Sequence, residues 1–186
     1  MESLKGSFLI SMPHMNDPNF SRTVVYVCEH TKEGAMGLVI NRPLSQLDFS
    51  DILAQMNLHI SEKPETPMPL VHFGGPVEMY RGFCLHSSDY SNPDTLRICD
   101  TIFLTANKTV IYDIANLRGP KQFLFLLGYS GWAPGQLENE ILHNGWITVP
   151  AVETIMFHKS DDQKWKLAGN AYGIDLTIVS SLEGNA

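Results

Sequence analysis

The stretch from residue 6 to residue 43, GSFLISMPHMNDPNFSRTVVYVCEHTKEGAMGLVINRP, limits the fold more than any other part of the chain. Residues 7–12, 23–28 and 36–41 are rich in β-branched, aromatic and aliphatic side chains, which predicts three strands. Residues 24–28 and 38–40 are apolar at successive positions. Successive side chains of a strand point to opposite faces, so both strands are expected to be buried on both sides. Pro13 and Pro18 bracket the first loop, because proline has no N–H to give to a ladder. Gly34-Ala35-Met36-Gly37 is expected to turn the chain into the third strand, and Pro43 to close it. Asp17, Glu29, His30, Asn41 and Arg42 crowd the strand ends, more polar groups than a core needs.

Helices are expected to cover that sheet. Ser45-x-x-Asp48 has the spacing of a capping box, ahead of a helix to about residue 56 that buries Phe49, Ile52, Leu53 and Met56. Residues 58–69 carry three prolines, Pro64, Pro67 and Pro69, and read as an exposed loop. A strand over 70–73 stops at Gly74-Gly75-Pro76. Another over 82–87 alternates Phe83 and Leu85 with Cys84 and His86, and residues 96–99 and 101–104 read as a short pair. Thr105 is placed to cap a helix over 106–117 whose apolar face is Val110, Ile111, Ile114, Ala115 and Leu117, with Gly119-Pro120 ending it. The nearly all-apolar run 122–129 predicts a central strand. A glycine-rich turn over 130–135, a helix over 136–143, a strand over 146–149 and helices over 151–157 and 162–169 follow, the last burying Trp165 and Leu167. The tail after Leu176 is expected to be loose. No repeat or long linker divides the chain, so residues 1–186 are expected to form one α+β domain with a mixed sheet.

Composition excludes several classes. A chain of 186 residues can bury about 70% of its unfolded surface without staples. Three scattered cysteines, Cys28, Cys84 and Cys99, argue against a disulfide framework and suit a reducing cytoplasm. The first residues make a poor secretion signal, and no apolar run approaches the roughly 20 residues that span a bilayer. Cytoplasmic placement without a membrane partner is therefore expected. A net charge of −7 opposes phosphate backbones, and no recognition module is visible, so direct sequence-specific binding of nucleic acid is not expected.

The pattern G-x-F-L-I-x-x-P-x-M-x-D-P-x-F from Gly6, then T-V-V-Y, E-H, G-A-x-G and N-R-P, resembles the AlgH/YqgE family of bacterial proteins. Later pieces agree in order: Gly74-Gly75-Pro76-Val77, Arg81-Gly82-Phe83, Leu85-His86, Tyr129-x-Gly131-Trp132-x-x-Gly135-Gln136-Leu137-Glu138-x-Glu140, and Trp146. The resemblance covers nearly the whole chain and departs at Ser130, where the family usually carries Ala. It implies a small barrel-like, bifurcated sheet surrounded by helices, and a cytosolic protein of undefined biochemical role. Some members have been called transcriptional regulators.

Read for chemistry, the residues supply incomplete sets. Zinc wants three or four ligands in a fixed shell, and Glu29 and His30 point opposite ways on an extended chain, so neither a metal nor another cofactor is expected. Cys84 and His86 share a strand face without a third group to orient them. Gly128-Tyr129-Ser130-Gly131 lacks the G-x-S-x-G spacing of a nucleophile elbow. Two readings follow. The first is a non-catalytic cytoplasmic protein, regulatory through a protein partner. The second is a small-ligand binder or enzyme using the strand-end loops around Asp17, His30, Asn41 and Gly74-Gly75-Pro76. Asp17, His30, Asn41, Arg42, Gly74, Gly75, Gln136 and Glu138 are expected to converge in one polar cluster, either a binding site or a network that locks the loops, because the loops of one sheet can meet.

Overall fold

The apolar run after Gln122 becomes β9 (Phe123–Trp132), the strand around which the computed structural model, describing residues 2–58 and 68–177, is organised. One edge of β9 pairs antiparallel with β6 (Val77–Ser87). Its other edge is divided. Phe125, Leu126 and Leu127 pair parallel with β5 (Leu70–Phe73), and Ser130, Gly131 and Trp132 pair antiparallel with β3 (Gly34–Val39). The sheet forks between them at Gly128, whose φ is +72°. Gly74 stitches the fork: its N–H donates to the Leu127 carbonyl (2.8 Å), and its own carbonyl accepts from Val39 N–H (2.9 Å). A Cβ on Gly74 would lie 2.3 Å from the Gly128 oxygen, and one on Gly128 2.3 Å from the Gly75 oxygen, so only glycines let the two backbones pass.

From β3 the sheet continues through β2 (Val24–Thr31) and β1 (Ser7–Ser11) to β10 (Trp146–Pro150). From β6 it continues through β8 (Ile102–Thr105) to β7 (Leu96–Arg97), while β4 (Pro43–Asp48) pairs with β5. The result is a curled half-barrel of mixed strands in an α+β domain. Its helices are α1 (Phe49–Gln55), α2 (Lys108–Ala115), α3 (Gln136–Leu142), α4 (Glu153–His158) and α5 (Asp161–Asn170). Both faces of β1 and β2 are covered, as their apolar runs require. Phe8, Ile10, Val24 and Tyr26 pack with Trp165 of α5, whereas Leu9, Val25 and Val27 pack with Trp132, Leu137 and Trp146. Phe49 of α1 and Val110 and Ile111 of α2 cover Phe125 beyond the fork.

Several local expectations shift. Lys32 and Glu33 make the turn between β2 and β3, and Gly34 to Gly37 lie within β3 against Trp132. Residues 43–48 are held as a strand by β5, so the capping box starts at Asp48, whose N–H donates to Asp51 Oδ2 at 2.9 Å. The cap of α2 is Asn107, whose Oδ1 accepts from Val110 N–H. Thr105 is instead buried in β8 with its hydroxyl against His86 Nε2. Leu117 lies past the helix end at φ +58° and is exposed. Residues 130–132 remain in β9, leaving the turn to Ala133–Gly135 only. The expected loop over 58–69 falls mostly, and the expected tail after Leu176 almost wholly, outside the described residues.

A buried charge fastens α5 to this sheet. Lys164, 2% exposed, donates from Nζ to the Ile40 carbonyl and to Asp161 Oδ1, both at 2.8 Å. Asp161 Oδ2 accepts from His72 Nε2 on β5 at 3.1 Å, and Trp165 Nε1 donates to Ser11 O at 2.9 Å. Burial opposes ionisation of Asp161, but the hydrogen bonds from His72 and Lys164 outweigh it and hold its carboxyl below the usual carboxylate range. Burial, partly offset by Asp161, pulls the Lys164 ammonium below its ordinary value. Asp161→Asn is expected to cost about 3 kcal/mol at neutral pH, because it strands a buried cation. A depressed carboxyl stabilises the fold fully above its unfolded value of about 3.9 and loses that contribution as pH falls through the lower folded value. Urea melts of both proteins from pH 7 to pH 2 should therefore show a component of acid sensitivity in the parent that the variant lacks.

Candidate functional site

The loop between β1 and β2, the end of β9, α3 and the start of β10 line a half-open cavity of about 360 Å³. Phe20, Trp132 and Trp146 form its aromatic wall, with Asp17, Gln136 and Glu140 as polar lining. The rings meet at steep angles: Phe20 and Trp146 at 5.5 Å and 76°, Trp132 and Trp146 at 6.1 Å and 80°. Gln136 and Glu140 lie one turn apart on α3, which puts them on one face. Glu140 gathers the site. Its Oε2 accepts from Trp132 Nε1 (2.9 Å) and Trp146 Nε1 (2.8 Å), and its Oε1 from Gln136 Nε2 (2.9 Å). Gln136 Oε1 accepts in turn from Ala133 N–H, fixing the turn into α3. At the rim, His143 Nδ1 donates to the Asn139 carbonyl at 2.8 Å, so the neutral ring keeps an acceptor at Nε2.

The eight residues expected to cluster are divided. Asp17 and Gln136 line the cavity, as does Pro76 after Gly74-Gly75. Asp17 Oδ1 also accepts from Asn19 N–H at 2.8 Å, which shapes the loop. Asn41 and Arg42 hold that loop from behind. Asn41 Oδ1 accepts from Val24 N–H and its Nδ2 donates to Arg22 O, while Arg42 donates to the Pro18 and Ser21 carbonyls and lies over the Phe73 ring. Gly74 and Gly75 serve the fork. His30 and Glu138 form a separate pair outside the cavity lining, with His30 Nε2 donating to Glu138 Oε1 at 3.1 Å. The tautomer is set by Leu4 N–H, which donates to His30 Nδ1 at 2.9 Å. At 3.6 residues per turn, Glu138 points away from the face that carries Gln136 and Glu140. Its own backbone N–H first, and His30 after it, hold its carboxyl below the usual range.

Glu140, Phe20 and His143 line the cavity and were passed over by pattern reading. The available signal was Gln136-x-x-x-Glu140 between two tryptophans whose indole N–H groups need acceptors once buried. Other reactive groups are engaged. Burial pushes the Cys84 thiol up, and His86 is tied to Thr105 Oγ1 and Ser87 O, both at 2.9 Å. Ser130 is buried, with its hydroxyl donating to Gly74 O. Among the described residues there is no group of three or more His, Cys, Asp or Glu that could hold a metal, and no helix is long and apolar enough to cross a membrane.

A family profile described as AlgH-like (DUF179) matches residues 8–177, a span that holds the fork and the cavity. The chain belongs to this AlgH-like family. It is 46% identical over 186 residues to a UPF0301 protein of Rhizobium etli, covering 97% of this chain and 92% of that one. A UPF0301 protein of Ruegeria pomeroyi is 45% identical over 184 residues, covering 98% and 99%. The solution structure of the AlgH protein from Pseudomonas aeruginosa superposes with a TM-score of 0.77 at 39% identity, covering 99% of this chain and 95% of that one. A Corynebacterium diphtheriae protein of 16% identity superposes at 0.73 over 97% and 92% of the two chains and shares the fold alone. The family is uncharacterised, so its membership fixes the architecture and leaves the chemistry to the site. Because His30 and Glu138 touch, His30→Ala and Glu138→Ala are expected to be non-additive in stability. A double-mutant cycle by chemical denaturation should give a coupling of about 0.5–1 kcal/mol, and strict additivity would show the contact to be inert.

Proposed function

We propose that this AlgH-like protein is a non-catalytic cytoplasmic binding protein with a regulatory role, exerted through a protein partner seated at the Trp132–Trp146 cavity. The observation that carries the reading is the Glu140 carboxylate, which accepts from two indoles and an amide and is thereby a lock rather than a base. A general base has to reach a substrate proton, and this one is turned into the wall. The cavity itself has the size and the mixed aromatic and polar lining of a binding site. A second reading, an enzyme at the same place, draws on Asp17 and His143, a carboxylate and an imidazole on one lining. A photoreactive residue at His143, with one at the exposed Tyr112 of α2 as control, separates the two. The expected outcome in the bacterial cell is a defined protein cross-linked from position 143 and not from 112. Equal yields from both positions would refute the site. Turnover of a metabolite that is lost in a folded His143→Ala variant would refute the non-catalytic assignment.

A further inference from the structure

We infer that the Trp132–Trp146 cavity takes a cationic group, an ammonium presented by a partner's side chain or by a free amine; this rests on the cavity being the binding site. Three features of the wall point the same way. The first is charge. Asp17 and Glu140 both line the cavity, and among the described residues neither Lys nor Arg does. The Arg42 guanidinium is spent on the Pro18 and Ser21 carbonyls behind the loop.

The second is the supply of donors. An anion needs N–H or O–H groups to replace its water. Both indole N–H groups and one N–H of the Gln136 amide already donate to Glu140, so the indole donors that an anion would need are committed. Glu140 accepts three of the roughly four hydrogen bonds that a carboxylate can take. His143, also on the lining, directs Nδ1 to the Asn139 carbonyl, so that nitrogen too is committed. The third is the aromatic wall. The ring face is the negative end of an aromatic quadrupole, and Phe20, Trp132 and Trp146, packed against one another at differing tilts, all line the cavity. Three aromatic rings beside the Asp17 carboxylate, with Glu140 locked behind them, form a chemistry that recognises ammonium groups and offers little to carboxylates or phosphates.

The chain carries its own control. Trp165, the third tryptophan, packs in a different core cluster with its indole donating to Ser11 O. Three probes are titrated against the whole protein while the three indole N–H resonances are followed by NMR: choline, its uncharged isostere 3,3-dimethylbutan-1-ol, and acetate. Choline is expected to shift Trp132 and Trp146 and to leave Trp165 in place, binding at least tenfold more tightly than the isostere. Acetate is expected to do nothing at those indoles. Asp17→Asn keeps the Oδ1 acceptor for Asn19 N–H, so the loop survives while a charge is lost, and choline affinity should fall at least threefold. A peptide with one central lysine and blocked ends separates the sources: tighter binding than choline marks a side chain, weaker binding a free amine. Equal response to choline and its isostere, preference for acetate, or unchanged choline affinity in Asp17→Asn overturns the cationic assignment and leaves the cavity as a binding site. Silence of Trp132 and Trp146 to every probe overturns both.

Discussion

The rest of the structure depends on the crossing at Gly74 and Gly128. Two backbones approach there more closely than any side chain permits, and one strand edge is handed from β5 to β3. The consequence reaches both halves. On one side β5 carries β4, α1 and α2 as a separate layer over Phe125. On the other, β3 carries β2, β1 and β10, whose two buried faces hold the larger core. Two carbonyl-to-amide bonds through Gly74 keep the halves in register, and Ser130 adds a third contact to the same carbonyl.

The cavity is a by-product of that register. Once β3 runs beside the end of β9, Trp132 is turned toward β10 and its Trp146, and both indole N–H groups enter a space that water leaves. Buried donors without acceptors are costly, and Glu140 meets both at once. The aromatic wall is therefore rigid before any ligand arrives. Preorganisation of this kind lowers the cost of binding, because the rings have little freedom left to lose.

Much of this architecture was legible in the order of residues, for a physical reason. A strand buried on both faces leaves no polar position to spare, and residues 24–28, 38–40 and 122–129 show that directly. Phe83 and Leu85 against Cys84 were equally readable, since alternation survives any partner. The errors arose where tertiary pairing overrode a local signal. Residues 43–48 became a strand because β5 was beside them, and Gly34 to Gly37 serve pairing rather than a turn. The lining of the cavity was half visible. Asp17 and Gln136 were named, but Glu138 was preferred to Glu140, and only the helix phase against two distant tryptophans tells them apart. The burial of Lys164 was not legible, since its partner carbonyl at Ile40 is fixed only by the fold.

The pairing of β1 sets an order on synthesis. Ser7 lies opposite Pro150 and Ser11 opposite Trp146, so a strand at the start of the chain has one edge filled by a strand near its end. While the ribosome is still making the middle of the protein, β1 can pair only with β2, and its outer edge is open. An apolar open edge invites other strands. Domains whose contacts lie far apart in sequence also fold slowly. The nascent protein thus passes through a stage in which the outer edge of β1 is unprotected, and release from that stage coincides with arrival of the same β10 that completes the cavity wall.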